Sequence, residues 1–386
     1  MVKNAYIHIP FCKSKCKYCS FISFPKLEQK EEYLKALIKE ISYFYENEKL
    51  NTLYFGGGTP SLLQPFEFES LIKIFNTGSQ TEITAELNPE TLNYDYLRAL
   101  NDCGINRISI GCQTFNDNIL KLIGRRHNAE QVKNAVQNAQ NAGFKNISLD
   151  FIYGLPEQNY DEFISDLKNA VSLGVQHISL YGLKIDEGCY FYSHKPQNIA
   201  DDDTQADMYL GAIQTLTDAG FEHYEISNFS KSGFYSRHNL NYWDNNSYYG
   251  FGTAAHGYKD SIRYSNSASL EDYIINPYKH DKETVLSKAE QLEEEIFLGF
   301  RKMAGINKYL INEKYNIDFE KKYSGILNKY LSSGHIVQTN SGYKLSNNGI
   351  LVSNIIRQIV TSNHVNSKIM RRFNYRECVA RLSQGH

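Results

Sequence analysis

The chain has 386 residues, 41% of them hydrophobic, with a formal net charge of −2 and a sequence pI of about 6.6. This length suffices for a large domain and a smaller one, and the near-neutral charge argues against a nucleic-acid partner because no global basic field exists. Since there is no signal peptide, no apolar run near the roughly 18 residues of a membrane span, and no disulfide framework among the seven cysteines, we expect a cytoplasmic protein.

Up to about residue 230, strand-like runs alternate with amphipathic helical patterns, and the strands appear as hydrophobic runs of the kind covered on both faces. The predicted strands are Ala5–Ile9, Thr52–Phe55, Glu82–Leu87, Arg107–Ile110, Ile147–Ile152 and His177–Leu183. The predicted helices are Lys30–Tyr45, Phe66–Phe75, Tyr94–Cys103, Ala129–Ala142 and Asp161–Leu173. Six such β-then-α units predict an α/β fold with a parallel sheet, and they are fewer than a complete barrel requires. We therefore expect an open, partial (β/α)6 barrel.

Three cysteines follow the first predicted strand, Cys12, Cys16 and Cys19, with the spacing Cys-x3-Cys-x2-Cys. Three thiolates can hold three irons of a cubane cluster and leave the fourth iron open to a small molecule. A structural zinc site is the alternative, but zinc takes a closed shell of four ligands, usually supplied as two pairs, and no second pair follows. Common ferredoxin runs also use other spacings. The pattern therefore favours an open-sited 4Fe–4S cluster over zinc.

A glycine run, Gly56–Pro60 (Gly-Gly-Gly-Thr-Pro), comes directly after the second predicted strand. Consecutive glycines let a backbone approach a ligand closely, and ligand sites of parallel sheets lie at the carboxyl ends of the strands. Such a run alone is as often only a tight turn. Its position one strand after the cysteines favours a ligand-binding loop.

Single polar residues recur near the ends of later strands: Glu86, Gln113 and Asp150. Carboxylates and amides in such positions suit ribose hydroxyls and a ligand ammonium group. Arg125 could pair with a ligand carboxylate in bidentate fashion. Each residue could equally cap a helix or join a structural salt bridge. Their recurrence along the β/α units favours a binding site.

Beyond a first domain of residues 1–230, the pattern changes. Residues 231–280 are rich in Gly, Asn and Tyr, which indicates an irregular connecting segment. A helical pattern begins near Ser287, and a later helix with two short strands predicts a small winged-helix-like domain over 281–360. No basic recognition helix stands out, so DNA binding is not expected. Residues 361–386 show no clear pattern, and we expect a disordered tail.

These motifs together resemble the radical S-adenosylmethionine superfamily, and within it the HemN/HemW branch of oxygen-independent coproporphyrinogen III oxidases and haem chaperones. The similar runs are Tyr6–Cys12, Gly56–Pro60, Glu86–Pro89, Ser109–Phe115, Gly124–His127, Asp150–Pro156, Ser179–Leu183, Tyr224–Phe229 and Arg237–Trp243. They are spread over nearly the whole of residues 1–360. The resemblance implies a radical S-adenosylmethionine barrel followed by a smaller HemN-like C-terminal domain.

The resemblance also implies roles for the residues found above. Cys12, Cys16 and Cys19 would bind the 4Fe–4S cluster, whose open iron holds the methionine part of S-adenosylmethionine. The positions where the family binds S-adenosylmethionine are Tyr6, Gly57, Gly58, Thr59, Glu86, Gln113, Arg125 and Asp150. The sequence leaves open whether one or two molecules bind.

Two features separate the oxidases from the chaperones of this branch. The oxidases have a further cysteine two residues after the third, where this chain has Phe21, and an extension before the cluster, where this chain has eleven residues. The resemblance therefore implies a haem chaperone that delivers haem to client haemoproteins, including membrane respiratory enzymes. A coproporphyrinogen III oxidase is the alternative. Peripheral membrane association and a homodimer are left open.

The segment His238-Asn239-Leu-Asn-Tyr242-Trp243 resembles a motif associated with haem handling in the chaperones. Histidine is a common ligand of haem iron, and tyrosine and tryptophan offer flat faces to a porphyrin. The alternative is a packed loop in which His238 bonds to neighbours and Trp243 fills a core. The family context favours haem contact, with His256 as a rival ligand.

Overall fold

The computed structural model describes residues 1–352, so the predicted tail at 361–386 lies outside the described residues. Its strands are β1 (Asn4–Ile9), β2 (Thr52–Gly57), β3 (Glu82–Leu87), β4 (Arg107–Gln113), β5 (Ile147–Tyr153), β6 (His177–Gly182), β7 (Glu222–Glu225), β8 (Asn228–Ser230), β9 (Tyr249–Phe251), β10 (His256–Lys259), β11 (Ile262–Asn266), β12 (His280–Val285), β13 (Ile306–Asn307), β14 (Ile336–Gln338) and β15 (Gly342–Leu345). Its helices are α1 (Lys30–Phe44), α2 (Pro65–Ile72), α3 (Tyr94–Asp102), α4 (Asp117–Leu122), α5 (Ala129–Asn141), α6 (Tyr160–Ser172), α7 (Tyr190–Ser193), α8 (Asp202–Asp218), α9 (Arg237–Trp243), α10 (Leu270–Ile275), α11 (Lys288–Gly299), α12 (Lys308–Tyr315), α13 (Phe319–Ser332) and α14 (Asn347–Leu351).

The main sheet has nine strands, in the order β7-β8-β6-β5-β4-β3-β2-β1-β9. Strands β1 to β6 are parallel neighbours in chain order, joined by helices that cross over between them. Strand β9 adds in parallel beside β1, and the hairpin β7–β8 adds antiparallel beside β6. Because the terminal strands β7 and β9 do not pair with each other, the sheet is an open barrel, which confirms the predicted fold class.

Local sequence signals account for where the crossover helices begin. Helix α5 starts with a capping box, in which the Asn128 side chain accepts from the Gln131 backbone N–H at 2.9 Å and the Gln131 side chain accepts from Asn128 at 3.0 Å. Its buried residues Val132, Ala135 and Ala139 recur at helical spacing and face the sheet. Helix α6 begins with the same kind of box. Polar caps and one apolar stripe thus fix each helix against the strands.

The strands are buried on both faces, as the sequence predicts, but they are not continuous hydrophobic runs. Along β5, Ile147, Leu149 and Phe151 belong to the apolar core that packs against the helices. The residues between them, Ser148 and Asp150, are equally buried and hydrogen-bond to each other at 3.2 Å. Alternation arises because one face of each strand contacts helices while the other faces the interior of the barrel, where polar groups satisfy one another.

The segment 231–280 is also more regular than predicted. It contains α9, β9, β10, β11 and α10, and β9 extends the main sheet. A buried carboxylate anchors this segment to α1, since Glu40 accepts from the Gly252 N–H at 2.8 Å and from the Asn266 side chain at 2.6 Å. These elements are short and depend on long-range partners, so no sequence periodicity marks them.

The C-terminal region has the predicted winged-helix-like elements. Helix α11 follows a capping box at Ser287, and α12 and α13 precede a three-stranded sheet in the order β13-β15-β14. Its apolar core includes Tyr209 of α8, which joins this region to the barrel. Within residues 1–352, no helix is long and apolar enough to cross a membrane.

Candidate cofactor site

The three cysteines lie on one loop at the carboxyl end of β1. The loop is closed by two backbone bonds, from Cys12 N to Phe24 O at 3.1 Å and from Phe24 N to Pro10 O at 2.7 Å. Inside it, the Cys19 N–H donates to Cys16 O at 3.2 Å, which forms a tight turn. All three cysteines are partly exposed. The loop therefore presents three thiols beside the end of the first strand.

The surroundings of two of these thiols, Cys12 and Cys19, disfavour free thiolates. Burial raises the pKa of Cys12, and burial together with the nearby Cys16 raises the pKa of Cys19 to about 12. A bound metal cation reverses this preference because it stabilises the thiolate form. Among the described residues, no group of three or more His, Cys, Asp or Glu side chains converges on a single ion position. Three thiols on one loop match the ligand count of a cubane cluster that takes one thiolate per iron and leaves the fourth iron open.

The glycine run packs directly against the cysteine loop. Gly58 N donates to Ile9 O at 2.8 Å, and Thr59 N donates to Phe11 O at 2.7 Å. A Cβ on Gly58 would lie 2.7 Å from Phe11 O, closer than such atoms can approach. The Thr59 hydroxyl lies 3.4 Å from the Cys12 Sγ. The absence of a side chain at Gly58 thus allows two loops to meet, a role that the sequence analysis did not foresee.

A buried carboxylate supports the same run from within the barrel. Glu86 accepts from the Gly57 N–H at 3.1 Å and from the Tyr54 hydroxyl at 2.8 Å. Burial raises the pKa of Glu86 to about 8. Gly57 has a φ of +114°, and a Cβ there would lie 2.5 Å from the His8 ring. The local backbone therefore requires glycine at this position.

Arg125 joins the ends of two strands, β3 and β4, to the cysteine loop. One terminal nitrogen, Nη2, donates to the Asn88 side chain at 2.8 Å and to Gly111 O at 2.9 Å, and Nη1 lies 3.7 Å from the Cys16 Sγ. Its Nε is buried and has no hydrogen-bond partner among the described residues. Arg125 therefore has a donor left for an anionic ligand group such as a carboxylate.

These groups border one cleft of about 770 Å³, a volume that includes open solvent at its mouth. The cleft is lined by the three cysteines and by part of the predicted S-adenosylmethionine set: Gly57, Gly58, Thr59 and Arg125. The remaining members of that set, which do not line it, are Tyr6, Glu86, Gln113 and Asp150.

The residues outside the cleft wall have partners elsewhere. Tyr6 lies 3.1 Å from the His8 Nδ1, and Asp150 accepts from the Ser109 hydroxyl at 2.9 and 2.8 Å. Burial raises the pKa of Asp150. Gln113 is fully buried at a bulge of β4, with a left-handed φ of +68°. A direct contact of these residues with S-adenosylmethionine stays a prediction.

The cleft also includes residues to which the sequence analysis gave no role, among them Asn88, Tyr181 and Lys184. Asn88 comes two residues after Glu86, one step nearer the carboxyl edge, so strand periodicity could have identified it. Tyr181 and Lys184 lie at or just beyond the end of the sixth strand. Their positions at a strand end were the available signal.

The proposed haem motif lies at the opposite end of the barrel. Helix α9 packs against the first residues of the strands: the His238 ring lies 2.7 Å from the Thr52 hydroxyl that opens β2, and the His238 N–H donates to Glu82 of β3 at 3.1 Å. Asn241 accepts from the Asn4 side chain at 2.6 Å. Helix α9 therefore covers the amino ends of the strands, away from the cysteines.

The side chains of this motif are enclosed. His238 is 1% exposed, bonds through its second ring nitrogen to the Tyr242 hydroxyl at 2.8 Å, and has its pKa lowered to about 3 by burial. Trp243 is 1% exposed, and the Arg301 guanidinium lies 4.5 Å from its ring centre. Asn239 is half-buried, as is the rival His256 in β10. Neither nitrogen of His238 is open to iron in this arrangement, so haem contact through His238, Asn239, Tyr242 and Trp243 stays a prediction that requires α9 to move.

Comparison with known proteins places the chain in a family. Residues 6–170 match the radical SAM superfamily, and residues 286–352 match the HemN C-terminal domain. The heme chaperone HemW of Lactococcus lactis is 39% identical over 362 residues, covering 89% of this chain and 95% of that protein. The heme chaperone HemW of Bacillus subtilis is 35% identical over 371 residues, covering 92% and 97%. The coproporphyrinogen III oxidase HemN of Escherichia coli, a radical SAM enzyme, has the same fold, with a TM-score of 0.82 over 93% of this chain and 90% of that chain at 20% identity. The chain therefore belongs to the HemW family of the radical SAM superfamily.

Proposed function

We propose that this protein is a haem chaperone, which binds haem and transfers it to client haemoproteins while it carries a 4Fe–4S cluster and S-adenosylmethionine. Relatives named heme chaperone match it over nearly their whole length. The structural observation that carries the proposal is Phe21. Its side chain is 7% exposed and forms part of the cleft wall, at the position where the oxidases of this branch have a further cysteine.

The residues that would hold the cofactors are those of the cleft. Cys12, Cys16 and Cys19 would bind three irons, and the cluster would supply an open iron and one-electron redox capacity when bound. Arg125 would direct its unpaired Nε to the carboxylate of S-adenosylmethionine. The backbone of the glycine run would border the ligand, and Glu86 keeps that backbone in place through the Gly57 N–H.

Haem would be cargo rather than a substrate that is chemically changed. Its delivery requires an exposed binding surface, because a client haemoprotein has to reach the same porphyrin. We expect the clients to include membrane respiratory enzymes, which this protein would meet from the cytoplasm by peripheral contact. Transfer is tested with an apo-haemoprotein as the acceptor. The acceptor is separated from this protein, and the haem content of the acceptor is then measured.

The deciding experiment begins with anaerobic reconstitution of the cluster in the full chain. One sample receives haem, and haem binding is titrated; a second receives S-adenosylmethionine, a reductant and coproporphyrinogen III, and protoporphyrin is assayed after oxidation. Stoichiometric haem binding without protoporphyrin supports the chaperone. Protoporphyrin formed in many turnovers would overturn it in favour of the oxidase. A Cys12→Ala variant serves as the control for cluster-dependent signals.

A further inference from the structure

We propose that the haem iron is bound by His194, on the segment after β6 that borders the cofactor cleft, and that α7 forms the surface beside the porphyrin. The inference rests on the haem-chaperone function proposed above. It differs from the expectation of a His238 ligand, because His238 is enclosed at the other end of the barrel. It places cargo and cofactors at the same edge of the sheet.

His194 has the geometry that an axial ligand needs. Among the histidines within residues 1–352, it is the one whose side chain is exposed rather than buried or half-buried. Its Nδ1 lies 2.9 Å from the Ser193 hydroxyl. With the proton on Nδ1 donated to Ser193, the lone pair of Nε2 faces outward, and Nε2 has no hydrogen-bond partner among the described residues. A bonded second nitrogen is the usual way in which proteins orient a metal-binding imidazole.

Exposed aromatic rings surround this imidazole. The Tyr190 ring stacks on His194 with a centroid distance of 4.2 Å and an interplanar angle of 4°. Tyr190 and Tyr192 are 51% and 59% exposed. A haem on Nε2 lies across the imidazole edge, so the edge of the Tyr190 ring would contact the porphyrin. Neighbouring exposed aromatic rings on a soluble surface commonly mark a site for an apolar partner.

The aromatic surface is anchored to the cysteine loop. Phe191 is 3% exposed and packs in the apolar cluster below the cleft rim, and its N–H donates to Lys17 O at 2.9 Å. The Lys17 Nζ lies 5.8 Å from the centre of the Tyr190 ring. Lys17 follows Cys16 directly. Haem bound to His194 would therefore lie beside the cluster loop and outside the cleft.

The charges around this surface suit the two propionates of haem. Lys17 and Lys195 make no salt bridge with any described residue, and Lys195 directly follows His194. Lys184, on the cleft wall, pairs with Asp186 at 3.2 Å. Two ammonium groups that form no ion pair with a described residue, near an apolar aromatic surface, match the amphipathic character of haem, whose ring is apolar and whose two side chains are anionic.

The test uses the cluster-loaded full chain with ferric haem, observed by electron paramagnetic resonance and resonance Raman because iron–sulfur absorbance overlaps that of haem. The variants are His194→Ala, His194→Tyr and His335→Ala. His335 is a matched control, since its Nδ1 lies 2.6 Å from the Ser333 hydroxyl on the C-terminal region.

We expect His194→Ala to weaken haem binding about tenfold or more and to remove the nitrogen-ligand signature. His194→Tyr should replace that signature with one of oxygen ligation, and His335→Ala should leave it unchanged.

The outcomes separate this inference from the function on which it rests. If the unmodified protein binds no haem, the chaperone function itself fails. If it binds haem and His194→Ala has the same spectrum and affinity, the His194 ligand is overturned while the chaperone function stands. Replacement of Lys17 and Lys195 by Glu provides a second measurement, with several-fold weaker binding expected and no change in the axial ligand. A His238→Gln variant that remains folded should keep the nitrogen signature, and its loss there would place the iron at α9.

Discussion

At the carboxyl end of the barrel, Cys12, Cys16 and Arg125 border an open cleft, and Arg125 keeps a donor without a partner. At the amino end, α9 buries His238 with both ring nitrogens bonded, to Thr52 and Tyr242. Both regions contain runs that resemble functional motifs of one family. Only the first opens to a cleft; at the amino end, the side-chain nitrogens of Asn241 and Trp243 also lack a hydrogen-bond partner among the described residues, but both side chains are buried. A recognisable motif therefore does not by itself mark a binding surface, and exposure has to be considered together with hydrogen bonding to tell a binding surface from a packed one.

The same comparison of exposure and hydrogen bonding favours the cleft rim over α9 as the place where haem binds. His194 is exposed and has an open nitrogen, while His238 would need a movement of α9 before it could bind iron. The two ends can be separated experimentally, because changes at the carboxyl end should affect cofactor content, whereas changes at the amino end should affect stability and leave cofactor content unchanged.

Among the changes that test this comparison, loss of the cysteines should have the largest effect. Replacing Cys12, Cys16 or Cys19 by Ala should remove the iron–sulfur absorbance after anaerobic reconstitution, since each iron loses its thiolate, while far-ultraviolet circular dichroism stays unchanged. Cys103→Ala is the matched control, because Cys103 lies beyond α3 and its thiol donates to Leu100 O at 3.1 Å. A full cluster in the triple variant would contradict the assignment.

The pH dependence of stability should have opposite sign at the two ends. Folding raises the Glu86 pKa from 4.5 to about 8, so the folded chain holds a proton that the unfolded chain releases. This contribution is complete below pH 4.5 and is lost as the pH rises through about 8. Glu86→Gln should remove a pH-dependent difference of roughly 5 kcal/mol, measured by urea unfolding at several pH values.

The His238 pKa provides the counterpart at the amino end. Folding lowers it from 6.5 to about 3, so its contribution is present above pH 6.5 and is lost as the pH falls towards 3. His238→Gln should therefore reduce the acid sensitivity of the fold, whereas Glu86→Gln should reduce the alkaline sensitivity. Identical pH profiles for the two variants would refute the contrast between the two ends.

Truncation of His238 should destabilise the fold by about 3 kcal/mol, because it removes the hydrogen bonds of the imidazole to the Thr52 and Tyr242 hydroxyls and creates a cavity under the Tyr54 ring. The measurement is the free energy of unfolding of His238→Ala in urea at neutral pH. His335→Ala, at a less buried position, should change it by no more than about 0.5 kcal/mol. Unchanged stability of His238→Ala would show that the packed role is wrong.

The smallest expected effect concerns the contact between the two loops of the cleft. Gly58→Ala places a methyl group against Phe11 O and should cost roughly 1–3 kcal/mol in stability and lower the yield of reconstituted cluster. Gly325→Ala is the control, because nothing lies within 4 Å of its added Cβ on α13. There the exchange should stabilise the helix by up to about 1 kcal/mol. A normal cluster yield and stability for Gly58→Ala would show that the loops need not approach so closely.

Much of this protein could be predicted from local sequence patterns. The order and parallel direction of β1 to β6 follow from alternating strand and helix periodicities, since a crossover helix leaves few other topologies. The cysteine spacing and the glycine run at consecutive strand ends predicted one shared edge, and Cys12 indeed lies 3.4 Å from Thr59. Such inferences succeed because each depends on neighbours along the chain or on the next strand of the sheet.

Only the tertiary structure decided which of the candidates share the cleft. Arg125 reaches it through contacts with Asn88 and Gly111, whereas Asp150 does not line it, although the sequence offers both as candidate ligand-binding residues. The placement of His238 at the amino end depends on α9, which is far along the chain from the strands that it covers. Register, strand curvature and long-range packing set these positions, and none of them leaves a periodic signal in the residues themselves.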